Sequence, residues 1–477
     1  MLSGVHGEGG SLSNHGVETR PDDSVATAAG EPIGRPRVGV VLAAGRSDRL
    51  RPVTQGRSKL LLRLGGLSLM ERAVRSLLAT GLERVIVVVG HHGDAMARAA
   101  EGVAPGAVSV VRAERWEAGN GASLSAAEPA LAGEGSFVLV CGDHVFAPGC
   151  LDALIDARQA TVLVDPAPAG EAWEEGTRVR VDGSRAVRFA KGMDEPSVDC
   201  GAFVLSPDVF ACQRAASAEG DDTLAAALTR LANLRVVEAR PLPDGGWWQD
   251  IDTPHDLRRA RGLLRRSLVL PTDGPVSRYV NRPVSTRLSM TLAPLRLSPN
   301  MLSTIALAFG MAAAFLLAVE RPVMGGILVQ VSSVLDGVDG ETARLQMRAS
   351  PRGAWLNGLL NRMVDAAIVA GLGIWMLSET LSTRRILLLL GGIGIAWAIL
   401  AMAGMSWTTI LNLPAATERL LGFSFGRRDG RLFLVTAWAL LGHPMAALVA
   451  FMLAWTLSVG ARLVLVRRSL GFETPAA

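Results

Sequence analysis

Between residues 336 and 365 the chain sets polar and ionisable residues at helical spacing inside an otherwise apolar half. The run Asp336-Gly-Val-Asp339-Gly340-Glu-Thr-Ala343-Arg344 leads to Gly353 and then to Asn357 and Asn361. Carboxylates at the edge of a membrane helix are costly unless they are paired, hydrated or bound to metal, so such a cluster marks a functional site. Asp336, Asp339 and Ala343 fall on one face of a helix, and Asn357, Asn361 and Asp365 on one face of the next, so the two stripes make a pocket. No lysine lies nearby in the sequence to pair with Asp336 or Asp339. A second candidate site lies near the amino end. There a β-type run, Val38-Gly-Val-Val-Leu42-Ala43-Ala44, ends in Gly45-Arg46-Ser47-Asp48-Arg49 and soon reaches Ser58-Lys59. A strand that runs into a basic, glycine-bearing loop is a phosphate site. Its exposed amides, with cations such as Arg49 and Lys59, would neutralise a triphosphate and its leaving pyrophosphate.

The elements that must position these residues differ between the two halves. The chain has 477 residues, enough for two or three domains, and a net charge of +4 that averages over unlike regions. That charge is too mild to argue for nucleic acid. Residues 1–35, rich in Gly, Ser, Asp and Glu and without the apolar core of a signal peptide, read as a disordered tail. Residues 36–265 read as a cytoplasmic domain in which helices near 68–80, 93–101 and 122–131 alternate with strands Val85–Val89, 107–112 and Phe137–Cys141. That alternation indicates a doubly wound, Rossmann-like α/β fold with its ligand at the carboxyl ends of the strands. Cys141, Cys150, Cys200 and Cys212 all lie in this half without CxxC spacing, as reduced cytoplasmic thiols would. Residues 266–297 read as a linker with an amphipathic helix on the inner membrane surface, carrying Arg278, Arg282 and Arg287 among apolar residues. Residues 298–477 read as an all-α membrane domain of about six spans, near 299–319, 323–345, 353–378, 384–407, 431–443 and 445–466. Arg344, Arg348, Arg352, Arg419, Arg427, Arg428 and Arg431, with Arg467 and Arg468, place those loops, both termini and the Asp336 pocket on the cytoplasmic side of the inner membrane; Arg384 and Arg385 run against the rule.

The Asp336 pattern resembles the signature of the CDP-alcohol phosphotransferase family, D-x2-D-G-x2-A-R-x8-G-x3-D-x3-D, with every spacing kept and Asn357 and Asn361 in place of its last two aspartates. The resemblance implies that Asp336, Asp339 and position 357 hold two divalent cations, Mg2+ or Mn2+, against a CDP diphosphate. It further implies that position 361 is the general base for the acceptor hydroxyl, and that Gly340, Ala343, Arg344 and Gly353 lie against the CDP. An asparagine cannot take up that proton, and hard divalent cations prefer carboxylate oxygen. Turnover is therefore expected to fall, the base alone being worth about 10²–10⁴-fold. Asp365, one turn beyond Asn361, is the residue that could partly substitute.

The amino-terminal run resembles the sugar-nucleotidyltransferase signature L-A-A-G-x-G-x-R-L-x-P, with Ser47 for the second glycine. The resemblance extends to Gly119-Asn120-Gly121-Ala-Ser123 and to Trp248-Gln-Asp250-Ile-Asp252-Thr-Pro. It implies that Leu42, Ala43, Ala44, Gly45, Arg46, Asn120, Gly121 and Ser123 bind the nucleotide, and that Asp143 and Asp252 bridge Mg2+ to its phosphates. Lys191 and Asp199 would then contact the incoming phosphoalcohol. Taken alone, Asp143 is equally a turn or cap residue, Asp250 a helix-cap partner, His91-His92 a solvated loop pair and Trp247-Trp248 core.

The fused arrangement over about residues 37–470, with its joining segment at 273–285, resembles the bifunctional inositol-1-phosphate cytidylyltransferase/di-myo-inositol-phosphate phosphate synthase family. That likeness implies CTP, inositol-1-phosphate and a CDP-alcohol as ligands, the lipid bilayer as surroundings and a homodimer as assembly. Arg278, Arg282 and Arg427 are candidates for the acceptor phosphate from charge and expected side alone. Two other outcomes stay open: a synthase of phospholipid or phosphonolipid head groups, and a membrane-anchored cytidylyltransferase whose second half binds CDP-alcohol without turnover.

Overall fold

The computed structural model describes residues 33–46, 48–168, 171–379, scattered positions between 382 and 394, and 427–471. The tail expected at 1–35, apart from its last three residues, lies outside the described residues. So do most of the span expected at 384–407, Ser47, Arg384, Arg419 and the side chains of Arg467 and Arg468.

Near-continuous Val, Ile and Leu runs form central strands that are covered on both faces, and more polar segments such as Arg178–Asp182 form strands toward the sheet's edges. Nine of them make one sheet: β1 Val38–Ala43, β2 Arg84–Val89, β3 Val108–Arg112, β4 Phe137–Cys141, β5 Ala160–Asp165, β6 Arg178–Asp182, β7 Arg185–Ala190, β8 Ser197–Leu205 and β9 Val237–Pro241. Their order is β3-β2-β1-β4-β8-β5-β9-β7-β6. The first four are parallel, in the order of a Rossmann half, with Val38 opposite both Arg84 and Phe137. β8 then runs antiparallel to β4 and β5, so the sheet is mixed. Alternation along β1 sends Val41 and Ala43 into one core and Val38 and Val40 into the other. The helix expected at 122–131 is two pieces, Asn120–Ser125 and a 3-10 turn at Glu128–Leu131. Pro129 has no N–H to continue an α-helix and disfavours helical geometry in the residue before it.

Helix α1, Leu69–Ala79, starts at a capping box in which Ser68 and Glu71 exchange hydrogen bonds of 2.7 and 3.1 Å. Helix α2, Pro254–Arg266, starts at a second box made by Thr253 and Asp256, with proline in the first turn. The helical unit follows: α3 Arg282–Leu292, α4 Pro299–Ala318, α5 Pro322–Leu345, α6 Pro351–Glu379, α7 Arg428–Leu440 and α8 Pro444–Gly471. Among the described residues, Pro299–Ala318 and Pro351–Ser378 are long and apolar enough to cross a membrane. The last three turns of α5 hold Asp336, Asp339, Glu341 and Arg344.

α3 is amphipathic the opposite way round from a soluble surface helix. Ser285, Thr286 and Ser289 are buried, as are Ser277 and Asn281 in the π-helical turn before it, while Tyr279, Val280 and Val284 are exposed. The buried hydroxyls have a purpose: Ser285 and Ser289 each donate to the fully buried Glu341 at 2.6 Å, and Arg282 joins them at 2.7 Å. A carboxylate enclosed this way is tolerable because each oxygen has its donors.

The two units are docked by α1. Arg72, 5% exposed, donates to the carbonyls of Leu64 at 2.6 Å and Leu345 at 3.2 Å, and Arg75 donates to that of Gln346 at 3.1 Å. Two guanidiniums thus meet the carbonyl end of α5, where the helix dipole favours cations. Glu71 closes the seam with a two-oxygen contact to Arg296 at 2.7 Å. Gly66, at φ +86°, allows the approach, since a Cβ there would stand 2.4 Å from the Ala293 carbonyl oxygen.

Candidate active sites

The first site lies at the carboxyl ends of β1 and β4. After β4 the chain turns through Gly142-Asp143 into the short strand His144–Phe146, which pairs antiparallel with Trp248–Asp250 so that His144 faces Asp250. This ribbon carries three carboxylates to one point. Oxygens of Asp143, Asp250 and Asp252 all lie within 4.8 Å of one another. Lys59 enters between them, its Nζ 2.8 Å from Asp143 Oδ2 and in short contact with Asp252 Oδ1. Burial alone would lower the Lys59 ammonium, but the surrounding carboxylates of Asp143, Asp250 and Asp252 outweigh it and hold it above its ordinary value. Burial likewise works to raise Asp143, and the Lys59 charge overcomes it and holds that carboxyl below the usual range. At Asp250 burial, joined by the Asp143 and Asp252 charges, outweighs the relief from His144 and Lys59 and pushes the carboxyl up to about 6.

This donor set fits a hard divalent cation. Three carboxylates converge, and Asp250 Oδ1 is buried without a hydrogen bond among the described residues. Lys59 is a flexible point charge standing between the oxygens a cation would take, and an ammonium can withdraw from such a place toward phosphate.

His144 braces the cluster. Its Nδ1 is 2.9 Å from Asp143 Oδ1, and its ring stacks on Trp248 at 5.4 Å between centroids. Burial opposes its protonation, but Asp250 and Asp143 hold its pKa up at about 9. Gly201, at φ +68°, leaves room for the ring, which a Cβ would meet at 2.7 Å.

The cluster opens on a cavity of about 920 Å³. Its lining takes in Leu42, Ala44, Gly45, Arg49, Asn120, Ser123, Asp143, Lys191, Asp199 and Asp252. The structure thus gathers most of the expected nucleotide and phosphoalcohol residues around one space. The Ala43 side chain is buried in the core, because the strand alternation that exposes Leu42 turns it inward. Asn120 Oδ1 accepts from the Leu224 amide at 2.8 Å, Ser123 donates to the Gly119 carbonyl at 3.0 Å, and Gly121 packs on Asp222 with its amide 3.1 Å from that carbonyl. Arg46 pairs with Glu117 beside Trp116, while Arg49 reaches Asp252 at 2.9 Å and also holds Glu175. Asp199 Oδ1 accepts from the Gly201 amide at 2.9 Å, and burial raises its pKa. Lys191 lies on the rim.

The second site lies between α5, α6 and α7. The expected stripes do face each other: Asn361 Nδ2 donates to Asp336 Oδ1 at 2.7 Å. The other oxygen of Asp336 accepts from Arg428 Nη1 at 3.1 Å. The cationic partner of Asp336 is therefore no nearby lysine but an arginine 92 residues further on. Arg428 also donates from Nε to Asp365 Oδ1 at 2.9 Å, and Arg431 donates to Asp365 Oδ2 at 3.3 Å while its guanidinium lies 4.0 Å from the Trp455 ring centre. Asp365, expected as a substitute base, has both oxygens engaged and is 2% exposed. Asp339 accepts from Ser303 through Oδ2, and its Oδ1 has no hydrogen bond among the described residues. Asn357 lies half-buried one turn before Asn361.

This second donor set does not fit a pair of divalent cations. Amides stand at 357 and 361, both oxygens of Asp336 are engaged, and among the described residues no three carboxylates converge here as they do around Asp143. Arg282, considered for an acceptor phosphate, is held by Asp273 at 2.9 Å and Glu341 at 2.7 Å. Arg278 is exposed, and Arg427 stands at the N-cap of α7, so its neighbour Arg428 is the one that meets Asp336. Arg344 donates to the Leu268 carbonyl at 3.2 Å, and Gly340 and Ala343 are half-buried on the same helix. The Gly353 amide bonds to Ser350 Oγ at 3.1 Å at the start of α6.

Four residues of the two sites carry roles that the sequence alone does not assign. Asp250, read there as a cap partner, belongs to the carboxylate cluster, and Asp256 does the capping. Two-residue spacing from Asp252 on an extended segment was its signal. His144 had none beyond adjacency to Asp143. Arg428 and Arg431 carried one, three-residue spacing at a helix start, which their reading as loop charges hid.

Residues 39–231 match the family described as the MobA-like NTP transferase domain. The chain is 37% identical over 427 residues to a protein of Rubrobacter xylanophilus described as a bifunctional IPC transferase and DIPP synthase, covering 87% of this chain and 94% of that one. It is 30% identical to an Aquifex aeolicus protein of the same description, over 91% of this chain and 98% of the other. Among solved structures it is similar to the inositol-1-phosphate CTP transferase from T. maritima, at 27% identity and a TM-score of 0.44, covering 49% of this chain and 97% of that one.

Proposed function

The chain belongs to the family of bifunctional IPC transferases and DIPP synthases, and from that membership we propose that its α/β unit joins CTP to inositol-1-phosphate, forming CDP-inositol and pyrophosphate. The helical unit takes up CDP-inositol for transfer of its inositol-phosphate group to a second inositol-1-phosphate with release of CMP, and Asn357 and Asn361 impair that second step. The observation that carries this reading is the contrast between a converging carboxylate cluster at Asp143 and an amide-capped Asp336.

In the first reaction a phosphate oxygen of inositol-1-phosphate attacks the α-phosphorus of CTP, and the bond to the bridging oxygen of pyrophosphate breaks. Asp143 and Asp252, with Asp250, would hold Mg2+, which when bound neutralises triphosphate charge. Lys59 and Arg49 meet the departing pyrophosphate, Leu42, Ala44 and Gly45 bring backbone close to the nucleotide, and Lys191 and Asp199 orient the incoming inositol phosphate on the opposite rim. Rate comes from positioning and charge neutralisation rather than from a covalent intermediate. In the second reaction the acceptor hydroxyl needs a base, and the Asn361 amide accepts no proton.

The same reading divides the chain into a tail at 1–35, a cytoplasmic domain at 36–265, a linker at 266–297 and a membrane domain at 298–477. The last has about six spans in the inner membrane, both termini in the cytoplasm and a homodimer contact through the helices. The exposed Tyr279 and Val280 before α3 and Val284 within it suit the lipid interface. The test is a nucleotide and alcohol panel followed by pyrophosphate release. CTP with inositol-1-phosphate is expected to lead; preference for UTP, or a labelled product that partitions into organic solvent, refutes the assignment.

A further inference from the structure

The mismatch between the Asp336 pocket and a pair of divalent cations is matched by what fills it. Asp336 and Asp365 stand on facing helices, and Arg428 spans them at 3.1 and 2.9 Å, backed by Arg431 at 3.3 Å. Two carboxylates thus meet two guanidiniums, while Asp339 beside them keeps its Oδ1 without a hydrogen bond among the described residues. Aspartates at 357 and 361 would add two negative charges that these arginines are too few to balance, which is the charge a divalent cation supplies. The asparagines and Arg428 act together: the Asn361 amide donates to the oxygen of Asp336 that the guanidinium leaves free. Arg428 Nη2 is buried and has no hydrogen-bond partner among the described residues. A guanidinium with one unpaired donor can give it to a phosphate oxygen.

We infer that in this chain Arg428 takes the place of the divalent cations in the helical-unit pocket, so that a nucleoside diphosphate group is held there by its unpaired Nη2 without metal. The metal half of this inference stands on residue geometry alone, whereas the diphosphate half rests on the proposal that the helical unit takes up CDP-inositol.

Full-length protein in detergent is titrated with Mn2+ and the bound ion counted by electron paramagnetic resonance. Asp143→Asn is expected to abolish tight Mn2+ binding, and Asp336→Asn to leave the count unchanged. A lower count in Asp336→Asn that still elutes as a single folded peak overturns the inference. Asn357→Asp with Asn361→Asp, which asks for no folding of an unpaired arginine, is expected to add a class of Mn2+ that the natural chain lacks; no added class also overturns it. CDP binding is then measured by calorimetry in EDTA. Binding that persists in Asp143→Asn but weakens about tenfold or more in Arg428→Met supports the diphosphate half. CDP binding by the natural chain that vanishes in EDTA overturns that half. Failure of the underlying proposal shows separately, as no pyrophosphate from CTP and inositol-1-phosphate.

Discussion

The two pockets of this chain solve the same electrostatic problem with different cations. Around Asp143 three carboxylates converge on the Lys59 ammonium, and Asp250 keeps a buried oxygen without a hydrogen bond among the described residues. Around Asp336 the carboxylates are spread over two helices and fixed by the Asn361 amide and the Arg428 fork. Lysine is a compact charge on a flexible stem that can yield its place, while arginine is a planar fork that locks two partners at set angles. A pocket that exchanges ligands each turnover suits the first arrangement. The second makes a permanent bridge between α5 and α6.

The comparison can be broken at several points. The largest effect is expected from restoring Asp at both 357 and 361. The rate of CMP release from CDP-inositol and inositol-1-phosphate should rise about 10²–10⁴-fold, the worth of a positioned base. A rate that stays at background would mean that the asparagines are not what limits the helical unit.

Next comes the bridge itself. Replacing Arg428 with Ala leaves Asp336 with the Asn361 amide alone and Asp365 with Arg431 alone, and breaking a buried pair costs about 3–5 kcal/mol. A clear fall in detergent melting temperature is expected, with pyrophosphate release retained in the cold. At the first pocket, Asp143→Asn should lower pyrophosphate release by about 10²–10³-fold, the scale for losing one preorganised electrostatic partner. Extra Mg2+ should not repair it. The smallest effect is expected at the seam. Arg72→Ala leaves the Leu64 and Leu345 carbonyls without that donor, a loss of about 1–3 kcal/mol. Limited proteolysis between residues 266 and 297 should then quicken while both units stay folded.

Much of this arrangement was legible in the sequence because local rules govern it. The strands at 84–89 and 108–112 and the helices at 69–79 and 93–101 follow from apolar runs and periodicity, with a capping box marking the start of α1. The helices at 299–318, 322–345 and 351–379 follow from long apolar stretches, as does the facing of the Asp336 and Asn361 stripes. What was not legible depends on contacts distant in sequence. The inward hydroxyls beside and within α3 make sense only once Glu341 is known to lie beneath them. Arg428 reads as one more loop charge until α7 is packed against α5 and α6. Ala43 sits one residue from a pocket-lining position, and strand alternation is the rule that turns its side chain into the core.

The most direct test follows pyrophosphate and CMP separately when the purified full chain is given CTP, Mg2+ and inositol-1-phosphate. Sustained pyrophosphate release with CMP at background is expected, since the first pocket has its carboxylates converged and the second has amides at 357 and 361. CMP released in step with pyrophosphate would contradict it, because Asn361 would then sit in a working site and the base would have to be found elsewhere.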